Sequence, residues 1–562
     1  MGPRLARLTL TPAAAILMGA VSGMSAVAFM LCAGALFRHG LLRLSSLPLP
    51  VFAAGSLAVI VFSTLAVGLL LGRLSPGSAG SGIPEVKVSF WKDLGFVGLR
   101  HVLVKFAAGV LSIGGGTSLG REGPTVFIGG GVASGMAGLM GVPKQGRRRP
   151  VLMGAAAALA AAFNTPLAAM TFVLEEILND LNSRYLGSII LSAVIGAFVV
   201  HATLGRQPAF EMPDIQGTTW RVYAILPVVS IAAAYVACVF QRSVLSWRKR
   251  IRSRSRVPLV LRPMVGGLVT WALGIGIFAA TGKLGVFGLG YGDLSDALTG
   301  RFGPWQIAGL LVLAKVVASV ASYSWGGCGG IFSPTLFLGG LTGLFVSGAV
   351  TSLVPMGPGD TVLLCACGMC ACFGAAVRAP FTSVLIVFEM THQFSIVPAL
   401  MLTTLVSQAV ASRLDRRNLY DALLEQDGHD LGHTFHAHAQ APWKDIPVTA
   451  IASSHTVTVT SMTREAVKEI LNWHPFARFP VADGGRVKGV ARRAELEAFA
   501  AGGARPRLLD AVFCPPGASV HEAAQMLVDS PSGMLLLGTS GDSVEGIVTL
   551  HDLIRAQVAV ND

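Results

Sequence analysis

AAFNTPLAAMTFVLEE, Ala161–Glu176, returns 214 residues later as AAVRAPFTSVLIVFEM, Ala375–Met390. In each copy a proline (Pro166, Pro380) opens an apolar run and a glutamate (Glu175, Glu389) stands near its end. Earlier in each half stands a second pair, PTVFIGG from Pro124 and PTLFLGG from Pro334, offset by 210 residues. Two motif pairs in the same order at nearly equal offsets mean that the chain contains two homologous halves. The repeat also separates two acids. Glu175 has a counterpart in Glu389, and a shared structural role accounts for both. Glu176 falls opposite Met390, so it is an acid present in one half only and a candidate for a specific task.

The composition says where these halves reside. Of 562 residues, 52% are hydrophobic and 13% charged, against about 25% charged in soluble chains. Mean hydropathy is +0.64. This excludes a disordered chain, a nucleic-acid-binding tail protein and an ordinary soluble enzyme. Pro12–Phe37 is uncharged over a length beyond the ~7–15 apolar residues of a secretory signal, so it reads as a retained membrane helix. Val51–Gly72, Val222–Phe240 and Phe394–Ser412 are further uncharged runs near the ~20 residues needed to span a bilayer. Other apolar stretches are shorter or interrupted by Gly and Pro, so more than ten membrane helices are expected, several short or broken. Duplicated transporter halves are often inverted, with the ligand site at their boundary near the midplane. An intramembrane acid such as Glu176 costs about 2.5–3.5 kcal/mol on insertion scales and is a functional suspect. The net charge of +13 is read as carried by loops, above all WRKRIRSRSR (Trp247–Arg256), which the positive-inside tendency places in the cytoplasm, with GRRRP (Gly146–Pro150) competing for that place.

Three Gly-rich segments each precede an apolar run: GSGIPE (Gly80–Glu85), GREGP (Gly120–Pro124) and GGIFSP (Gly329–Pro334). Gly followed by Pro suits a helix start. Helix starts present unpaired N–H groups and about half a positive charge. Three of them converging make an anion site without a fixed Lys or Arg that would hold the ion too tightly to release it. Ser81 adds a hydroxyl donor. A carboxylate at such a site acts as a gate: ionised, it occupies the site as a tethered anion; protonated, it is neutral and leaves.

Together these segments resemble the CLC family of chloride channels and proton-coupled chloride transporters, over roughly residues 10–425. The resemblance implies an all-α polytopic membrane protein with inverted internal repeats. It implies that Ser81, with Gly82 beside it, and the backbone of Ile331 and Phe332 bind the central anion, with Tyr420 of RNLYDALL closing the inner end. It implies that Glu122 is the gate that competes with chloride, and that Glu176 is the internal proton-transfer acid of the exchangers. It further implies exchange of two chloride ions for one proton, and a homodimer with one pathway per subunit. Lys105 and Arg121 are read as structural counter-ions to acids.

The expected domain limits are 1–425 for the membrane part and 426–442 for a linker. The linker carries His429, His433, His436 and His438, read as a solvated stretch rather than a metal site. Two α/β halves follow, 443–500 and 501–562. TVTVT (Thr456–Thr460) reads as a strand and SMTREAVKEILN (Ser461–Asn472) as a helix. GIVTLHDLI (Gly546–Ile554) resembles the closing motif of a CBS domain, which implies that Thr549 and Asp552 contact phosphate and ribose when an adenine nucleotide binds as a regulator. In the first half Arg492 and Glu495 replace those residue types, which speaks against a nucleotide site there, and the alternative to nucleotide binding is a dimer-stabilising cytoplasmic cap. A tandem CBS pair in the cytoplasm, below a multi-pass inner-membrane domain, is expected.

Cys365, Cys367, Cys370 and Cys372 crowd one apolar run and read as small helix-packing residues. HEAAQ (His521–Gln525) falls short of HExxH, GLGYG (Gly288–Gly292) lacks a preceding strand, and no P-loop is present. No catalytic constellation, metal site or resident cofactor is expected. The partners are chloride, protons, the lipid bilayer and a second copy, with no nucleic acid. The favoured function is secondary active chloride/proton exchange. The alternative is a passive voltage- or pH-gated chloride channel of the same fold, against which Glu176 discriminates.

Overall fold

A computed structural model of the chain describes residues 12–206, 209–213, 215, 220–351, 354–415, 417–429, 446–454, 456–538 and 544–559. His433, His436 and His438 lie outside the described residues. The chain divides into two compact units, Met1–Leu431 and Gly432–Asp562, so the division falls inside the stretch read as a linker.

The helices of the first unit are, in order, α1 (Pro12–Phe37), α2 (Leu49–Leu74), α3 (Ile83–Trp91), α4 (Leu99–Gly114), α5 (Glu122–Leu139), α6 (Arg148–Phe163), α7 (Pro166–Phe172), α8 (Leu186–Thr203), α9 (Trp220–Arg254), α10 (Arg262–Thr281), α11 (Tyr291–Leu298), α12 (Trp305–Ser324), α13 (Phe332–Thr351), α14 (Pro358–Val377), α15 (Pro380–Thr391), α16 (Val397–Leu414) and α17 (Leu419–Gln426). Among the described residues, nine helical stretches are long and apolar enough to cross a membrane. Others, such as α3, α7 and α11, are too short to span and are nonetheless largely buried.

The duplication is visible in the packing. Pro166 and Pro380 are the first residues of α7 and α15, and Pro124 and Pro334 the third residues of α5 and α13. Gly129 of α5 meets Gly154 of α6, and 210 and 214 residues on, Gly339 of α13 meets Gly368 of α14. A Cβ at Gly129 or Gly339 would lie 2.5 or 2.3 Å from the facing carbonyl oxygen, so both helix pairs pack backbone to backbone. Without a hydrophobic drive between helices in lipid, such close van der Waals packing supplies the association. Two buried lysines repeat the same offset. Lys105 donates to the carbonyls of Ala79 and Gly80 (3.5 and 3.1 Å), and Lys315 to those of Gly285 and Gly288 (both 2.8 Å). Each pins the Gly-containing loop that starts a short helix, α3 or α11. The four clustered cysteines are fully buried within α14; Cys370 Sγ lies 2.9 Å from Thr404 Oγ1 of α16.

The halves also cap one another. The α7 amides of Leu167 and Ala168 donate to Glu389 (3.0 and 2.7 Å), and the α15 amides of Phe381 and Thr382 donate to Glu175 (3.2 and 2.9 Å).

The second unit runs α18 (Arg464–Trp473), β1 (Arg478–Asp483), β2 (Arg486–Arg492), α19 (Arg493–Ala500), β3 (Val512–Cys514), α20 (Val520–Asp529), β4 (Met534–Leu537), β5 (Gly546–Thr549) and α21 (Leu550–Ala559). β1 pairs antiparallel with β2; β3 runs parallel to β4, which pairs antiparallel with β5. The expected strand over Thr456–Thr460 shrinks to a single parallel bridge, Val459 to Val481. That bridge occupies the place of the β3–β4 pair, so both halves follow one β-α-β-β-α order. The expected helix starts at Arg464 and buries Val467 and Leu471, one turn apart, on its core face.

Candidate functional site

The three Gly-rich loops meet. Gly80 donates its amide to Gly327 O (3.1 Å) and accepts from Gly329 N (3.2 Å), while Gly120 and Gly330 exchange two bonds of 2.6 Å. The starts of α3, α5 and α13 are thereby tied together. A Cβ on Gly123 would lie 2.3 Å from Ser81 O and 2.4 Å from Ser81 Oγ, so only glycine lets α5 begin against Ser81. Gly82 has φ +103°, a conformation glycine adopts without strain. Its amide donates to Glu85 Oε2 at 2.8 Å. That capping bond engages the Gly82 amide at the start of α3. Glu85 in turn pairs with Lys105 at 3.2 Å, and Arg121 Nε stands 3.8 Å from Glu122; both cations are counter-ions, as expected.

Ser81 and Tyr420 are each 1% exposed. Ser81 Oγ and the Tyr420 phenol are buried with no hydrogen-bond partner among the described residues. A buried donor left unpaired costs about 1–3 kcal/mol, so two such hydroxyls on the short elements around α3 and α17 suit an anion. Ile331 and Phe332 are buried at the start of α13. Phe332 packs against Phe373, Phe163 and Phe172, with centroids 4.3, 5.5 and 5.9 Å away.

Glu122, the first residue of α5, is fully buried. Its Oε1 accepts from the Tyr291 phenol (2.9 Å), and its Oε2 from the Ser333 amide (3.3 Å) and the Ser333 hydroxyl. Tyr291 and Ser333 are themselves 2.8 Å apart, and the Arg121 guanidinium lies over the Tyr291 ring at 5.6 Å. The carboxylate thus occupies the N-terminus of α13 as a tethered anion would. A cavity of about 430 Å³ reaches Arg121 and Tyr291. Sequence reasoning missed this clamp. Tyr291 belongs to the GLGYG segment, weighed only against dinucleotide binding, and Ser333 stands beside the two residues chosen from GGIFSP.

Glu176 is 3% exposed and sits in a π-helical turn, Val173–Leu178. Such turns are frequent at functional sites. Here the turn sends Glu175 to cap α15 and Glu176 to Lys87 of α3, whose Nζ lies 2.7 Å from its Oε1. The same Nζ reaches Asp421 Oδ1 at 2.7 Å, and Asn418 Nδ2 reaches Glu176 Oε2 at 3.3 Å. Sequence reasoning did not name Lys87 or Asp421, 334 residues apart.

In the second unit, Asp552 Oδ2 accepts from the Thr549 amide (2.8 Å) and hydroxyl (2.7 Å). The two expected nucleotide contacts are therefore adjacent and paired. Thr549 lines a cavity of about 300 Å³ together with Phe476, Arg478 and His551.

Fold and site define a polytopic membrane protein built from two homologous halves, with buried helix starts meeting at their boundary. The chain belongs to the voltage gated chloride channel (CLC) family, whose pattern matches residues 63–412; a CBS domain pattern matches residues 508–559. It is 32% identical over 381 residues to the H(+)/Cl(-) exchange transporter ClcA of Vibrio parahaemolyticus, covering 66% of this chain and 79% of that one. It is 31% identical over 427 residues to ClcA of Cronobacter sakazakii, covering 73% and 88%. Among solved structures, a slow cyanobacterial Cl-/H+ antiporter superposes with a TM-score of 0.67 at 23% identity, covering 76% of this chain and 98% of that one. A eukaryotic CLC transporter superposes with a TM-score of 0.61 at 18% identity, covering 98% of both.

Proposed function

We propose that the protein exchanges chloride for protons across a membrane. The observation that carries this is the pair of unpartnered buried hydroxyls, Ser81 Oγ and the Tyr420 phenol, in a pathway where Glu122 is held as a tethered anion. Glu176, buried and separately paired, supports exchange over passive conduction, because a channel has no need of a second, ion-paired acid. The names of the ClcA relatives agree with this reading. The protein acts as a transporter, not an enzyme.

The membrane is proposed to be the inner cell membrane, with the C-terminal unit in the cytoplasm. Arg248, in the basic end of α9, holds Asp427 just beyond α17 with two bonds of 2.9 Å. The chain therefore leaves the first unit beside its most basic segment, the side favoured for cytoplasm. A homodimer is proposed, the exposed apolar surface of the first unit facing lipid and the second copy. For the C-terminal unit we propose a tandem CBS pair over 443–500 and 501–562. The cavity at Thr549 is the proposed place of an adenine nucleotide acting as a regulator, at the small end of the ~300–1,000 Å³ usual for ligand pockets.

The test is purified protein in liposomes under a chloride gradient, with the proton movement followed. Uphill proton movement supports exchange; chloride flux with none supports the channel alternative.

A further inference from the structure

We infer that Asp421 is the water-facing acid of the inner proton path and that Lys87 is the bridge carrying protons from it to Glu176. This rests on the exchange reading above and assigns two residues to it.

The inference starts from access. Glu176 is 3% exposed and Lys87 2%, whereas the Asp421 side chain is 38% exposed. An acid sealed to that degree cannot trade protons with water unaided. Asp421 is a titratable group that both touches its lysine partner and reaches solvent. Lys87 Nζ stands midway, 2.7 Å from Glu176 Oε1 and 2.7 Å from Asp421 Oδ1. Both are the short distances of charge-assisted hydrogen bonds. An ammonium carries three donors, enough to hold both carboxylates at once.

The step balances without any co-reactant. Asp421 takes a proton from water. Lys87 first passes one of its protons to Glu176 Oε1, and the neutral amine left behind, which now has a lone pair, turns that lone pair to the neutral Asp421 acid and takes its proton. The ammonium is restored, Asp421 is again a carboxylate, and one proton has moved from water to Glu176. Lysine suits this place and arginine does not, because an ammonium gives up a proton far more readily than a guanidinium.

The two bridging residues lie close in the chain to the unpartnered hydroxyls. Lys87 lies on α3, which begins two residues after Ser81, and Asp421 follows Tyr420 on α17. Asn418 fixes the start of α17, its side chain accepting the Asp421 amide at 2.6 Å. A movement of α17 that alters the Tyr420 donor therefore also alters the distance between Asp421 and Lys87, which links the anion and proton steps mechanically.

The experiment uses the full-length protein in liposomes, with chloride efflux and proton uptake recorded together for the wild type, Asp421→Asn, Asp421→Glu, Lys87→Arg and Lys87→Met. Chloride flux serves as the check on folding in each variant. Asp421→Asn keeps the shape and a hydrogen bond to Lys87 but cannot carry a proton. It is expected to lose about tenfold or more of proton flux, within the range of a positioned acid, with chloride flux nearly unchanged. Asp421→Glu is expected to restore proton flux. Lys87→Arg keeps the charge and both ion pairs, and is expected to lose proton flux as fully as Lys87→Met. Full proton coupling in Asp421→Asn, or in Lys87→Arg, overturns the relay. If Asp421→Asn fails to fold, Asp421→Glu and Lys87→Arg decide the matter by the same ratios. A wild type that moves chloride without protons overturns the exchange reading itself, a result distinct from variants that stay coupled.

Discussion

Glu175 and Glu389 cap each other's half: each accepts the two amides that open the short helix of the opposite repeat. A two-fold relation between the repeats requires this reciprocity, and it explains why the acid is present in both. Glu176, one residue on, is turned away by the π-helical turn and takes no part in the exchange of caps.

Replacing either capping acid by Gln removes a charged acceptor and turns an NH2 group toward a backbone donor. Glu175→Gln and Glu389→Gln are each expected to destabilise the membrane unit by about 1.5–3 kcal/mol, the range for hydrogen bonds to charged groups. Thermal unfolding in detergent measures this.

The Tyr291 phenol contributes one of the bonds that hold the Glu122 carboxylate. In Tyr291→Phe, chloride displaces the carboxylate more readily, and chloride affinity measured by calorimetry should rise about tenfold, equivalent to one bond to a charged acceptor. In a Glu122→Gln background the same change should have little effect. An equal rise in both backgrounds would mean that Tyr291 acts on chloride without Glu122.

Much of this architecture is legible in the sequence, and for a physical reason. Helix starts carry local chemistry, so the Gly and Pro spacing of GSGIPE, GREGP and GGIFSP marks them without knowledge of the fold. The repeat offsets forecast which helices are equivalent, and the lone Glu176 stands out against Met390. Side-chain partners far apart in sequence carry no such mark. Nothing near Lys87 announces Asp421, and nothing near Glu122 announces Tyr291, because both pairings arise only when loops from different helices converge. Thr456–Thr460 fails differently: its alternation suits a strand, but only Val459 finds a partner.

Ser81 is the donor most exposed to test by selectivity. On the proposed reading its hydroxyl gives one directed hydrogen bond to a compact anion, and a proline there offers none. Ser81→Pro should raise nitrate over chloride transport several-fold, on the order of one hydrogen bond's worth of preference, in liposome flux assays. Unchanged relative permeabilities would mean that Ser81 does not face the ion.

Asp427 gives a pH-dependent prediction. Burial pushes its carboxyl up, but the hydrogen bonds and charges of Arg248 and Arg252 outweigh burial and hold it below the ordinary aspartate value of 3.8. A depressed carboxyl contributes its full stability above that ordinary value and loses it as pH falls through the lower, folded-state value. Asp427→Asn should therefore cost about 1–2 kcal/mol near neutrality, and the difference from wild type should vanish in strong acid. Thermal unfolding of the two proteins across acidic to neutral pH is the check.

The central claim is that chloride and proton movements are coupled through Glu122 and Glu176. Its most direct test is a liposome experiment in which an outward chloride gradient is the sole driving force and internal pH is recorded. The wild type is expected to pull protons inward against their own gradient, while Glu122→Gln and Glu176→Gln still pass chloride and move no protons. Chloride flux in the wild type without proton movement, or proton coupling that survives in Glu176→Gln, would contradict it.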